Sequence, residues 1–177
     1  SDEEPAVWEE EGVTRILYLS RLDQNLTPVA LNLIEAVSRL HCEYPGLRLL
    51  VAGEGPGGVE AAARVEEANS RLGGRQVSFL GALPRVNRVM AASDLVVGVS
   101  RVALEGMASA RNVLLAGGEG FAGLARPERL AELAADNFTG RSASRKAAAA
   151  FLEESLREFL RTPVEERERT GRDLRQY

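Results

Sequence analysis

Apolar residues in this chain fall in short continuous runs, and between the runs they recur at helical spacing. The runs at residues 15–19, 47–52, 77–80, 95–99 and 112–116 are rich in Leu, Ile and Val. Such runs mark strands covered on both faces of a sheet. After the first run, Thr27-Pro28 reads as an N-cap followed by proline at the first helical position. Ala30, Leu33, Ile34, Val37 and Leu40 then give that helix one buried face. A polar, alanine-rich helix follows the second run as far as Leu72, where Gly73 and Gly74 stop it. Further helices are expected over residues 86–92, 103–110 and 127–134, and a helical C-terminal part over 147–160 and 164–177. Glu119 to Gly123 reads as a glycine-rich loop, and Asn137-Phe138-Thr139-Gly140 as the place for a short final strand.

Five strands alternating with helices predict an α/β fold, a doubly wound parallel sheet that is Rossmann-like, with strand order 3-2-1-4-5 and C-terminal helices. Residues 1–12 are acidic and aperiodic, a linker or tail from which Val7 and Trp8 are expected to pack on the domain's own surface. Residues 13–145 form the Rossmann-like domain and 146–177 a helical extension, on which Phe151, Leu156 and Phe159 are expected to stay partly uncovered. The strand order reverses between the first and fourth strands, so the loop Ser20-Arg21-Leu22-Asp23 lies beside Gly98-Val99-Ser100-Arg101 at the switch point where such folds bind ligands. Outward-pointing amides of Gly98, Val99 and Ser100 at a helix N-terminus suit a phosphate. Arg21 offers a planar fork to a diphosphate, the alternative being a surface ion pair with Asp23. A capping box from Ser100 would use position 103, which is Ala. Glu105 is therefore either free to accept a bond from a ligand hydroxyl or an ordinary exposed helix acid.

Composition narrows the class. The chain has 177 residues, 45% of them hydrophobic and 27% charged, as in a soluble domain of ordinary size. A net charge of −4 argues against nucleic acid as a partner held by the overall field. No apolar run approaches the roughly 20 residues that cross a bilayer, and the start carries no signal-peptide pattern. With Cys42 the single cysteine, the chain is read as cytoplasmic. It begins at Ser1 without Met and is read as a piece of something longer. His41 and Cys42 have no further ligand at metal spacing, so no metal site is expected, and one His leaves no Ser-His-Asp arrangement. Gly53, Gly55 and Gly58 satisfy G-x-G-x-x-G, but after the second run instead of the first, and no acid ends the next run to hold a ribose. The glycines then make either a tight turn or a nucleotide-contacting loop of another kind.

Taken in order, Leu-Tyr-Leu-Ser-Arg-Leu-Asp (17–23), Leu-Arg-Leu-Leu-Val-Ala-Gly-Glu-Gly-Pro (47–56), Val-Ser-Phe-Leu-Gly-Ala-Leu-Pro (77–84), Ala-Ala-Ser-Asp-Leu-Val-Val (91–97) and Leu-Glu-Gly-Met-Ala-Ser-Ala-Arg-Asn-Val-Leu-Leu-Ala (104–116) carry a resemblance. The chain resembles the C-terminal, donor-binding domain of GT-B-fold glycosyltransferases of family 4, the retaining glycosyl transferases group 1, over about residues 13–125. The resemblance implies a nucleotide-diphosphate sugar, of the UDP-sugar kind, as substrate and no cofactor or metal. It implies that Glu105 holds the donor ribose, that Arg21 is the catalytic cation on the diphosphate, and that Gly53, Glu54, Gly55, Leu80 and Gly81 lie near the nucleobase. Ser20, Ser100, Arg101 and Val102 complete the implied donor site. It further implies an acceptor-binding domain preceding this one, no activity for this chain alone, and peripheral membrane association of the full-length enzyme.

The sequence departs from the family pattern in three places. Leu26 stands where the family carries a second diphosphate cation, Lys. Val97 stands where its first acid is found. The loop after the fourth strand is about six residues shorter than the pattern, and Arg101 is the residue placed to restore positive charge. Two other classes stay open: a nucleotide-sugar epimerase of the same architecture, and a non-catalytic nucleotide- or partner-binding module.

Overall fold

The computed structural model describes Trp8 and residues 10–177. The part of the expected linker at residues 1–7 and 9, Val7 included, lies outside them. The central strand β1 (Thr14–Leu19) has Ile16, Leu17 and Tyr18 all fully buried. Alternation sends them to opposite faces. Ile16 and Tyr18 pack with helix α1 (Thr27–Leu40), while Leu17 packs with Trp8, Val89 and Met90. β2 (Leu47–Ala52) follows, then α2 (Gly58–Leu72), which ends on Gly73 at φ 75°. β3 (Val77–Gly81), α3 (Val86–Ala92), β4 (Leu95–Gly98), α4 (Arg101–Ala108) and β5 (Asn112–Ala116) complete the alternation.

The sheet has six strands in the order β3-β2-β1-β4-β5-β6, and the expected order 3-2-1-4-5 is contained in it. The addition is β6 (Phe121–Leu124), which pairs antiparallel with β5 through an irregular register at Leu115/Ala116. It occupies the stretch expected to be loop. Its inner residue Phe121 stacks on Phe151 of α6 (Ala149–Arg161) at 5.9 Å between ring centroids, a tertiary contact that makes a glycine-containing stretch worth ordering as a strand. The outer edge is closed off: Arg129 donates to the carbonyls of Ala122 (2.9 Å) and Leu124 (3.4 Å). The strand expected at 137–140 is instead a turn, with Asn137 and Phe138 both at positive φ (59° and 57°).

A 3-10 turn over Pro127–Arg129 leads into α5 (Leu130–Ala135), and α7 (Val164–Arg175) ends the chain. The expectation that Phe151, Leu156 and Phe159 stay partly uncovered holds for Phe151 and is corrected for the other two. Leu156 and Phe159 are buried in the same core as α1, and Phe151 is half-buried against it. Such burial contributes about 1.5–3 kcal/mol for each fully buried side chain. Trp8 is buried as expected, its indole donating to the Val89 carbonyl. The neighbouring Glu10 carboxylate accepts from Arg48 at 2.8 Å, so the described part of the expected tail is tied to the domain.

Candidate functional site

The carboxyl ends of β3, β2, β1 and β4 stand side by side, and their loops continue the ladder beyond the strands. Gly53 donates to the Gly81 carbonyl (2.7 Å), Ser20 to Ala52 (3.2 Å), Leu22 to Glu54 (2.8 Å) and Gly57 to Leu22 (2.8 Å). This explains the glycine run. A Cβ on Gly53 would stand 1.7 Å from the Ser20 carbonyl oxygen, and one on Gly55 2.4 Å from that of Leu22. Both sit at φ values near 145° that other residues rarely adopt (142° and 148°). The glycines let two backbone loops touch. Ser20 and Gly53 to Gly55 thereby belong to one surface, next to half-exposed Leu80 and to Gly81 at φ 63°.

Behind this surface the Tyr18 hydroxyl donates to the Leu26 carbonyl (3.1 Å) and accepts from Ser20 Oγ (3.1 Å). Burial pushes the phenol up to about 12, against the Ser20 bond that lowers it. Arg21 points into solvent, its side chain 86% exposed, with Asp23 at 4.0 Å. Asp23 has a second job. Its Oδ1 accepts the amides of Asn25 and Leu26, both at 2.9 Å, and its carbonyl accepts the Thr27 hydroxyl. Asp23 therefore holds the turn that leads into α1, whose N-cap position is Leu26 with no side-chain capping bond, and the N-cap expected at Thr27 is corrected: Thr27 is the first helical residue. The chain turns over Gln24, Asn25 and Leu26 before the helix begins, and the Thr27 amide donates to the Asp23 carbonyl at 3.0 Å.

On the β4 side the connection to α4 is Val99 and Ser100 alone. Gly98 is needed there: an added Cβ would come within 2.5 Å of Val102 Cγ1. Ser100 adopts φ 51°, ψ −120°, and its amide donates to the Phe138 carbonyl at 2.8 Å. The expectation of an outward-pointing Ser100 amide is thus corrected, because a loop distant in sequence has taken it. That loop is held by Asp136, which accepts from the amides of Thr139 (3.2 Å) and Ser142 (3.0 Å). Burial alone would push the Asp136 carboxyl up, but these bonds outweigh it and hold the carboxyl below its usual range.

Glu105 is not free. Its Oε1 accepts from Arg101 Nε at 2.7 Å across one helical turn, with the side chains 90% (Arg101) and 34% (Glu105) exposed. Val102 packs beside them, against the position of Gly98. Val97 is fully buried, paired with Tyr18 and Leu114. It holds no place for an acid. Asn25, which sequence reasoning passed over, meets the loop after β5, 2.9 Å from where a Gly118 Cβ would stand.

A cavity of about 590 Å³ lies at the other end of the sheet, lined by Thr14, Asp94, Asn112 and α7. Two of its arginines serve the fold: Arg111 donates to the Ser109 and Ser93 carbonyls, and Arg167 to the Leu160 carbonyl while lying over the Phe159 ring. Among the described residues no three His, Cys, Asp or Glu side chains gather as metal ligands, and no helix is long and apolar enough to cross a membrane.

A six-stranded, mostly parallel sheet reversing between β1 and β4, with helices packed on it, defines a doubly wound α/β domain of the Rossmann-like kind. The family model described as "Glycosyl transferases group 1" matches residues 13–153, and the chain belongs to that family. Among curated proteins no significant match is found. Three solved structures share the fold. HepE of Anabaena, in complex with UDP and glucose, is 17% identical with a TM-score of 0.65, over 93% of this chain and 43% of that one. WaaG, a glycosyltransferase involved in lipopolysaccharide biosynthesis, is 22% identical with a TM-score of 0.63, over 99% of this chain and 47% of that one. The C-terminal domain of the glycosyl transferase group 1 family protein LpcC from Francisella tularensis is 18% identical with a TM-score of 0.65, over 95% of this chain and 88% of that domain. The chain thus spans less than half the length of HepE and WaaG.

Proposed function

We propose that this chain is the donor-binding half of a retaining glycosyltransferase, taking a nucleotide-diphosphate sugar into the crevice between the loops after β1 and β4. The observation that carries the reading is the gathering of Ser20, Arg21, Gly53 to Gly55, Gly81 and Ser100 to Glu105 at the carboxyl ends of adjoining strands, in a chain of the group 1 family. Arg21 is the cation for the diphosphate, exposed and only loosely engaged by Asp23. Glu105 accepts the ribose hydroxyls. The loops that carry Gly53 to Gly55 and Leu80-Gly81 bound the nucleobase. No metal or cofactor is invoked, since Arg21 and the α4 N-terminus offset the leaving diphosphate's charge.

Transfer also requires an acceptor held in near-attack geometry, which is worth roughly 7–11 kcal/mol of barrier. That positioning is assigned to a second domain, in keeping with the chain's span of 47% of WaaG. A non-catalytic nucleotide-binding module is the second reading, favoured by buried Val97 and by Leu26, neither of which supplies the charge expected there.

Titration calorimetry with UDP tests the first reading. Binding is expected, weakened by Glu105→Ala and tightened by Leu26→Lys, since a charge-assisted hydrogen bond contributes about 1.5–3 kcal/mol. An unchanged dissociation constant for Glu105→Ala removes the ribose role. Sugar transfer is expected only when the preceding domain is present. Robust transfer by the 177-residue chain alone overturns the half-enzyme reading.

A further inference from the structure

Tyr18 of β1 is in register with Val97 of β4, and one exposed arginine emerges just beyond each of them, Arg21 on one side and Arg101 on the other. The loop after β4 is short enough that Arg101 is the first residue of α4. That start is set by the unusual backbone of Ser100 and its bond to Phe138. An outlier backbone is thus held by a residue distant in the chain, at the turn beside the switch point of the sheet. The cation it places, however, is bound to the very carboxylate assigned to the ribose, at 2.7 Å. The pairing is also in the weaker orientation for a helix, with the base on the N-terminal side of the acid. With Arg101 90% exposed, water screens the pair and it opens at little cost.

We infer that Arg101 is a ligand-exchanged latch: in the empty site it occupies Glu105, and on donor binding it transfers to the diphosphate, which releases the Glu105 carboxylate for the ribose. Arg101 and Arg21 then grip the diphosphate from the two strands flanking the switch point, and Arg101 takes the part for which Leu26 has no charge. The inference rests on the donor-binding reading of the same crevice and adds to it a coupling between the phosphate and ribose subsites. A diphosphate ligand gains a cation and an unmasked acid together. A nucleoside without phosphate must compete with Arg101 for Glu105.

The test compares UDP and uridine on the wild-type protein, Arg101→Gln and Arg101→Lys at low salt, by calorimetry for UDP and ligand-observed NMR for uridine. Arg101→Gln is expected to weaken UDP at least about tenfold, the effect of losing one charge-assisted bond. The same change is expected to leave uridine binding equal or tighter, because Glu105 is no longer masked. Arg101→Lys is expected to recover part of the UDP affinity, as a cation without the fork. Equal losses for UDP and uridine in Arg101→Gln would make Arg101 only a support for Glu105 and would overturn the latch. No change in either would make it a surface ion pair and overturn it too. Wild-type protein that binds neither ligand removes the donor-binding reading itself, whereas normal wild-type binding with an indifferent Arg101→Gln removes the latch alone.

Discussion

The Phe138 carbonyl oxygen accepts the Ser100 amide at 2.8 Å, so a turn just after α5 shapes the turn between β4 and α4. Both residues have positive φ without being glycine, Ser100 at 51° and Phe138 at 57°. Phe138 is fastened by burial and by an edge-on contact with Tyr177 at 5.7 Å between ring centroids. Ser100, at φ 51° and ψ −120°, is strained by its own Cβ.

Replacing Ser100 by Gly should therefore stabilise the fold. Residues held in sparsely populated backbone regions cost of order 1–3 kcal/mol, and glycine removes most of that while adding its own chain entropy. The expected net gain is about 1 kcal/mol, read as a higher urea midpoint at unchanged slope. Ser100→Val should shift the midpoint down by a similar amount or more. A lower midpoint for Ser100→Gly would mean that no strain is stored at this turn.

Gly53 and Gly73 make a matched pair for a second measurement. Both have positive φ, but a Cβ at Gly53 meets the Ser20 carbonyl at 1.7 Å, whereas at Gly73 nothing lies within 4 Å. Gly73→Ala should cost only the backbone preference, about 1 kcal/mol. Gly53→Ala must also drive apart the loops after β1 and β2, with an expected cost above roughly 2 kcal/mol. UDP affinity should fall with it, since Ser20 and Arg21 move. Equal midpoints for the two variants in urea would show that those loops give way freely.

Tyr18 predicts a pH dependence of stability. Its phenol rises from 10.0 to about 12 in the folded state, so the native protein holds the proton more tightly than the unfolded chain does. The resulting stability is fully present below pH 10 and is lost as pH rises from there through about 12. Ultraviolet titration should show Tyr18 ionising late, as a step that vanishes in Tyr18→Phe. The variant should also lose about 1 kcal/mol at neutral pH through the bond to the Leu26 carbonyl. A titration curve in which Tyr18→Phe removes no late step would contradict this.

The five parallel strands and their order were legible because strands covered on both faces, as β2 and β4 are, have to be apolar along their length, and few connections join such strands in parallel. The strand β6 was not legible. Phe121-Ala122-Gly123-Leu124 is short, contains a glycine at φ 80°, and becomes a strand through the stacking of Phe121 on Phe151. The burial of Leu156 and Phe159 was missed for the same reason: their partner is α1, far away in the chain. Arg21 and Glu105 could be singled out by type and by their distance from the strand ends. That Arg101 already occupies Glu105 depended on rotamers, which spacing does not specify.

What the sequence determined by itself is the five parallel strands, the helices between them and the family, since apolar period, turn residues and ordered motifs are properties of neighbouring positions. The tertiary structure decided which backbone groups of the site remain available. Gly53 is glycine because the loop after β1 lies against it, and the Ser100 amide is taken because Phe138 reaches it. Both partners lie about thirty or more residues away, and they are brought into contact by the packing of the sheet and its helices, where close approach of buried backbone leaves few alternative arrangements.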